Sequence, residues 1–310
     1  METMDIDSLN QQFGIPRQAT FREGAGGLPI LAITNTHGTV ELTPYGGHIL
    51  SYQPTGQAPV LFVSQASAYV PGKPIRGGIP VCWPWFGPRV DDPVMPLHGF
   101  ARLLFWKVEA VNVDVEGTEV RLSLRDDART RQYWPHDFEL TLRVVLGKRL
   151  HVELTTRNTG SQPFVLTQAL HTYFTVGDIG RVAITGLEPT TYFDSLTRLL
   201  VAPEGVPIAF HGEVDRVYAD TTADCRIRDA ALKREIGVAK RGSRSTVVWN
   251  PWIEKSKRMP DFGDDEFLGM LCIEAANARD DAVTLLPGQT HTLAQILSVC
   301  ASDALNPECP

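Results

Sequence analysis

The stretch VNVDVEGTEVRLSLRDDARTRQYWPHDFELTLRVVLGKRLHVEL, residues 111–154, decides the fold. Val111, Val113 and Val115 alternate with Asn112 and Asp114, and after the turn-forming EGTE at 116–119 come Val120, Leu122 and Leu124 in phase. Period-two alternation on both sides of a turn signals a β-hairpin. The device repeats at once: Phe138, Leu140, Leu142 and Val144 alternate, Gly147-Lys148 turns the chain, and Leu150, Val152 and Leu154 continue.

Outward from this stretch, further strands are expected at Leu28–Asn35, Thr39–Leu42, Phe164–Phe174, Arg181–Gly186, Ser245–Trp249, Gly269–Glu274 and Leu293–Val299. Helical periodicity is confined to short runs at Asp229–Lys233 and Asp265–Leu268. No linker, repeat or composition break divides the 310 residues. The fold class expected is all-β, a large antiparallel β-sandwich forming one domain with few short helices.

Composition agrees. With 43% hydrophobic and 21% charged residues the chain can bury a large core, and 26 glycines and 22 prolines suit many turns. A formal charge of -7 gives no help in binding nucleic acid or an acidic membrane, so any bound anion needs a local cluster of cations. The polar, acidic N-terminus lacks the features of a secretory signal, and no run approaches the ~20 apolar residues of a membrane span. A cytoplasmic location is expected. Five scattered cysteines suggest neither a disulfide framework nor a zinc site. A monomer is expected, since no heptad pattern offers an assembly element.

Three segments are too polar or too turn-rich to be core alone. They are PIRGGIPVCWPWFGP (74–88) with PLHGFAR (96–102), QALHTYF (168–174), and NPW (250–252) leading into MPDFGDDEFLGMLCIEAANA (259–278). The elements R-G-G-I-P, H-G-F-A-R, L-H-T-Y-F and C-I-E, in this order, resemble the hexose-6-phosphate mutarotases (glucose-6-phosphate 1-epimerases), a branch of the aldose 1-epimerase group. The resemblance runs from about Phe21 to Val299. It implies the galactose mutarotase-like sandwich and interconversion of the α and β anomers of a hexose 6-phosphate. No cofactor and no metal are implied, and the only partner is the small-molecule hexose phosphate.

By the same resemblance, Glu274 is the base on the C1 hydroxyl and His171 the acid on the ring oxygen. Opening a hemiacetal requires these two proton transfers, and one carboxylate with one histidine can perform them near neutral pH. On residue type alone, Glu274, read as ending an apolar strand, could equally face water, and His171 could be a satisfied core histidine. Asp215 falls on the family's sugar-binding aspartate and His98 on a second pocket histidine. Arg76 and Arg102 correspond to the pair that grips the 6-phosphate, a role suited to arginine's planar fork, although loop arginines are common on surfaces. One position departs: where eukaryotic members often carry glutamine, this chain has Leu97, so the phosphate shell is smaller or another donor such as Arg89 completes it.

Trp85 and Phe86 are candidate pocket walls, with Trp249, Trp252 and Tyr173 in the same position; His136 and His291 read as structural. Competing readings are an aldose 1-epimerase of free hexoses, a non-catalytic carbohydrate-binding protein on the same sandwich, and a glycosidase or lyase, for which no catalytic residue stands out.

Overall fold

The computed structural model describes residues 5–89 and 91–301. Two eight-stranded antiparallel sheets face each other across one core. The first runs, edge to edge, through Val182–Thr185, Cys225–Asp229, Arg234–Arg241, Thr290–Ala301, Leu150–Asn158, Phe138–Leu146, Thr118–Arg125 and Lys107–Val113. The second runs through Leu199–Val201, Tyr192–Asp194, Val214–Tyr218, Ser245–Asn250, Met270–Asn277, Gln168–Leu170 and Val81–Cys82, with Tyr173–Thr175 also pairing onto Met270–Asn277. A four-stranded N-terminal sheet, from Ala19–Glu23 to His48–Pro54, adds a further layer. Among the described residues no helix is long and apolar enough to cross a membrane.

The alternation that marks the fold also sets its packing. Val120, Leu122, Leu140, Leu142, Val152 and Leu154 all enter the main core. Val115 does not stay in phase with its hairpin. The Asp114 carboxylate accepts hydrogen bonds from the backbone N–H groups of Glu116 and Gly117, which turns the chain early and leaves Val115 exposed.

Several elements differ from expectation for local reasons. Phe164–Phe174 is three short strands, because the chain breaks at Thr167 and again at His171–Thr172. Asp229–Lys233 is a hairpin turn and not a helix: the Asp229 carboxylate holds the N–H groups of Gly177 and Leu232, and Lys233 takes a φ of 52°. Asp265–Leu268 yields only a 3-10 turn, Glu266–Gly269. Two helices lie outside the runs expected: Ile6–Phe13, capped by Asp5, tied to the Phe21 backbone through Asn10 and packed on the main core through Ile6, Leu9 and Phe13 at helical spacing, and the five-residue Trp252–Ser256. Cys300 is disulfide-bonded, against the expectation of no disulfide framework, whereas Cys82, Cys225 and Cys272 are free and buried.

Candidate active site

The Met270–Asn277 strand is buried on both faces. Leu271, Ile273 and Ala275 join the main core. On the other face, Cys272 belongs to an apolar cluster with Tyr173, Trp249, Phe262 and Phe267, and Ala276 to one with Cys82, Ala169 and Val247. Glu274 falls between these two clusters by the two-residue period of the strand. It lies within the strand rather than at its end, opposite Val247, and is 1% exposed.

His171 occupies the break between Gln168–Leu170 and Tyr173–Thr175, both of which pair with the Glu274 strand. The R-G-G-I-P loop fixes this break. His171 N–H donates to the Pro80 carbonyl at 3.1 Å and Tyr173 N–H to the Gly78 carbonyl at 2.9 Å. Gly78, at φ 63°, lies so close to the Ile49 carbonyl that a Cβ would come within 2.1 Å of it. The His171 ring stacks on Tyr173 at 4.8 Å and meets Trp249 edge-on at 6.2 Å.

Thus placed, His171 Nε2 lies 3.4 Å from Glu274 Oε1. His171 Nδ1 and Glu274 Oε2 are buried without hydrogen-bond partners, an uncommon state for buried polar atoms and one that a polar ligand would relieve. Burial, reinforced by the Asp215 charge and partly opposed by Arg102, pushes the Glu274 carboxyl well above its ordinary value. Burial, then the positive charges of Arg102 and Arg76, hold His171 well below its own. In the empty site both shifts favour the uncharged forms, a protonated Glu274 beside a neutral His171.

His98 faces the pair, its ring 5.7 Å from that of His171 and 4.9 Å from Phe86. It takes a φ of 61°, and Gly87 N–H donates to its Nδ1 at 3.2 Å. Burial, then Arg102 and His171, keep it neutral, so the remaining proton sits on Nε2 as a donor. Asp215, opposite Trp249 in register, stands 3.7 Å from the Lys255 ammonium, which also pairs with Glu213 at 2.9 Å.

The two arginines differ. Arg102 is 7% exposed; its Nη2 donates to the Leu97 carbonyl at 2.7 Å, its Nε has no partner, and no carboxylate of the described residues pairs with it. Arg76 donates from Nε and Nη2 to Asp261 Oδ2, at 3.1 and 3.0 Å, and from Nη1 to the Tyr173 hydroxyl at 3.1 Å. Burial alone would lower the Arg76 pKa, but Tyr173 and Asp261 outweigh it and raise it. Leu97 meets Arg102 through its backbone carbonyl, while its side chain is exposed. Arg89 is committed elsewhere, to Asp91 at 2.9 Å, to the Tyr133 carbonyl at 2.7 Å and over the Trp85 ring.

Asp261, Lys255 and His48 carried no local signal: Asp261 is one of several carboxylates in a turn-rich run, and His48, which meets the Gly77 carbonyl at 2.8 Å, lies in an ordinary strand. His171, Cys272 and Glu274 offer ligand atoms within 4.8 Å of one another. Burial keeps the Cys272 thiol protonated, and Arg102 and Arg76 already act on His171, so a divalent cation is poorly matched to this trio.

Comparison with known proteins gives the same fold and a family of epimerases. The aldose 1-epimerase family profile matches residues 29–298. A protein of Cenchrus ciliaris provisionally named glucose-6-phosphate 1-epimerase is 40% identical over 260 residues, covering 80% of this chain and 78% of its own. One of the same provisional name from Escherichia coli K12 is 36% identical over 256 residues, covering 82% and 84%. The crystal structure of YeaD from Salmonella typhimurium, provisionally termed a mutarotase, superposes with a TM-score of 0.86 at 32% identity, over 95% of this chain and 99% of that one. With a profile spanning nearly all of both sheets and relatives this similar over four-fifths of its length, the chain belongs to the aldose 1-epimerase family.

Proposed function

We propose that this protein interconverts the α and β anomers of D-glucose 6-phosphate and related hexose 6-phosphates by acid–base opening and reclosure of the ring. The observation that carries the reading is a buried His171–Glu274 pair at 3.4 Å beside a buried arginine, Arg102, that pairs with no carboxylate among the described residues. Relatives provisionally named as glucose-6-phosphate 1-epimerases support the substrate class.

The cyclic sugar needs the pair as carboxylate and imidazolium. Glu274 takes the C1 hydroxyl proton while His171 delivers one to the ring oxygen, which breaks the C1–ring-oxygen bond and leaves an aldehyde. The pair then stands as a protonated Glu274 and a neutral His171, the distribution that burial favours in the empty site. Rotation about C1–C2 presents the other carbonyl face. In reclosure His171 takes back the hydroxyl proton and Glu274 returns one to O1. Each proton given is recovered, and no atom changes oxidation state.

Asp215 accepts hydrogen bonds from sugar hydroxyls, and His98 donates from Nε2. Arg102 and Arg76 hold the 6-phosphate. The working unit we propose is a monomer. The test is NMR exchange spectroscopy on a panel of hexose 6-phosphates. Exchange clearly above the spontaneous rate is expected, and none above background for any of them would refute the proposal.

A further inference from the structure

The two phosphate-site arginines stand in different electrical states. Arg102 has no counter-ion among the described residues, whereas Arg76 is paired with Asp261. Both Arg76 contacts, from Nε and from Nη2, go to the single oxygen Oδ2 of Asp261. That edge of a guanidinium is one of those that present parallel N–H groups to an oxyanion. A guanidinium has five N–H donors; Nε, Nη2 and Nη1 each commit one, which leaves one on each Nη nitrogen. Asp261 therefore fixes the direction of the fork and cancels half of the site's positive charge. The partners are only 23% and 20% exposed, so water screens the pair incompletely.

We propose that Asp261 is a specificity-determining residue, an internal counter-ion that shares Arg76 with the 6-phosphate and limits how tightly the phosphate is held. This rests on the reading that Arg76 and Arg102 grip that phosphate. Substrate and product carry the same dianionic group, and it takes no part in ring opening. A stronger grip on it stabilises ground and transition states alike, which lowers KM without raising kcat and slows product departure. With Asp261 present, a phosphate of charge about −2 meets a net charge of one; without it, two full cations.

Asp261→Asn keeps the shape and an acceptor oxygen for the fork while removing the charge. Inorganic phosphate serves as the probe, as a competitive inhibitor of glucose 6-phosphate exchange and, independently of activity, by calorimetry. The variant is expected to lower both the phosphate inhibition constant and the KM for glucose 6-phosphate by at least about tenfold, the Coulomb effect of one charge on a dianion at roughly 6 Å if the screening were that of bulk water. Asp264→Asn removes the same charge from an exposed position of the same loop and is expected to change either constant less than about twofold. If Asp261→Asn does not fold, Asp261→Ser makes the same charge change and is read the same way. An unchanged or weaker phosphate affinity in the Asp261 variant, or an equal gain in Asp264→Asn, overturns the proposal. A wild type that fails to accelerate exchange, or whose phosphate affinity survives Arg102→Ala, overturns instead the reading on which it rests.

Discussion

Replacing Glu274 by glutamine separates the residue's contribution to chemistry from its cost to the fold. Glutamine has the same shape and an amide N–H that can donate to His171 Nε2, but it cannot ionise. In the wild type, burial above all, and then Asp215, raises the carboxyl well above its unfolded value of 4.5. As pH climbs past 4.5 the unfolded chain releases this proton while the folded chain keeps it. The native state then binds more protons than the unfolded state, so stability falls with rising pH. The group's favourable contribution is complete below 4.5 and is lost as pH rises through the folded pKa. The slope is about 1.4 kcal/mol per pH unit for one proton. Glu274→Gln lacks this dependence and should gain on the wild type by that amount per unit, from about pH 5 until the native carboxyl ionises. Urea unfolding of both proteins at about pH 5, 6 and 7 measures the difference, and exchange spectroscopy on the same samples should show a loss of ~10²–10⁴ in acceleration over background. A stability difference that does not vary with pH would mean that Glu274 is ionised in the folded protein, and retained activity would remove it as the base.

His171→Ala should lower catalysed exchange by ~10²–10⁴ at all hexose 6-phosphate concentrations, and near-wild-type exchange would exclude it as the acid. Arg102→Ala should cost about 100-fold in kcat/KM on glucose 6-phosphate, from charge-assisted hydrogen bonds lost to phosphate, against only a few-fold on free glucose. Equal losses on the two substrates would sink the phosphate assignment. Gly99→Ala should destabilise the fold by at least ~2 kcal/mol in denaturant unfolding, since φ is 75° there and the new Cβ would lie 1.9 Å from the Trp83 carbonyl. Unchanged stability would show that the His98 loop is not fixed by that contact.

What could be read in the sequence follows the range of the interactions responsible. Alternation between Val111 and Leu154 is a property of each strand alone, and the sandwich follows once every such strand needs a partner for its apolar face. Glu274 was harder, because a strand buried on both faces reads as a plain apolar run, and only the loops carrying Phe262 and Phe267 make its polar side the interior of a site. That is why it looked like a strand end. The His171 break was hidden for a related reason: VLTQALHTYF suits one continuous strand, and the interruption is set by backbone bonds to Pro80 and Gly78, some ninety residues away. Asp261 was the least legible, since nothing in MPDFGDD distinguishes an arginine's counter-ion from a turn carboxylate until the fold brings Arg76 within 3.0 Å. The charge state of the site therefore belongs to the tertiary structure. Two arginines that look equivalent in the sequence become, in the fold, one paired with a carboxylate and one with no carboxylate partner among the described residues, and the role proposed for Asp261 rests on that difference.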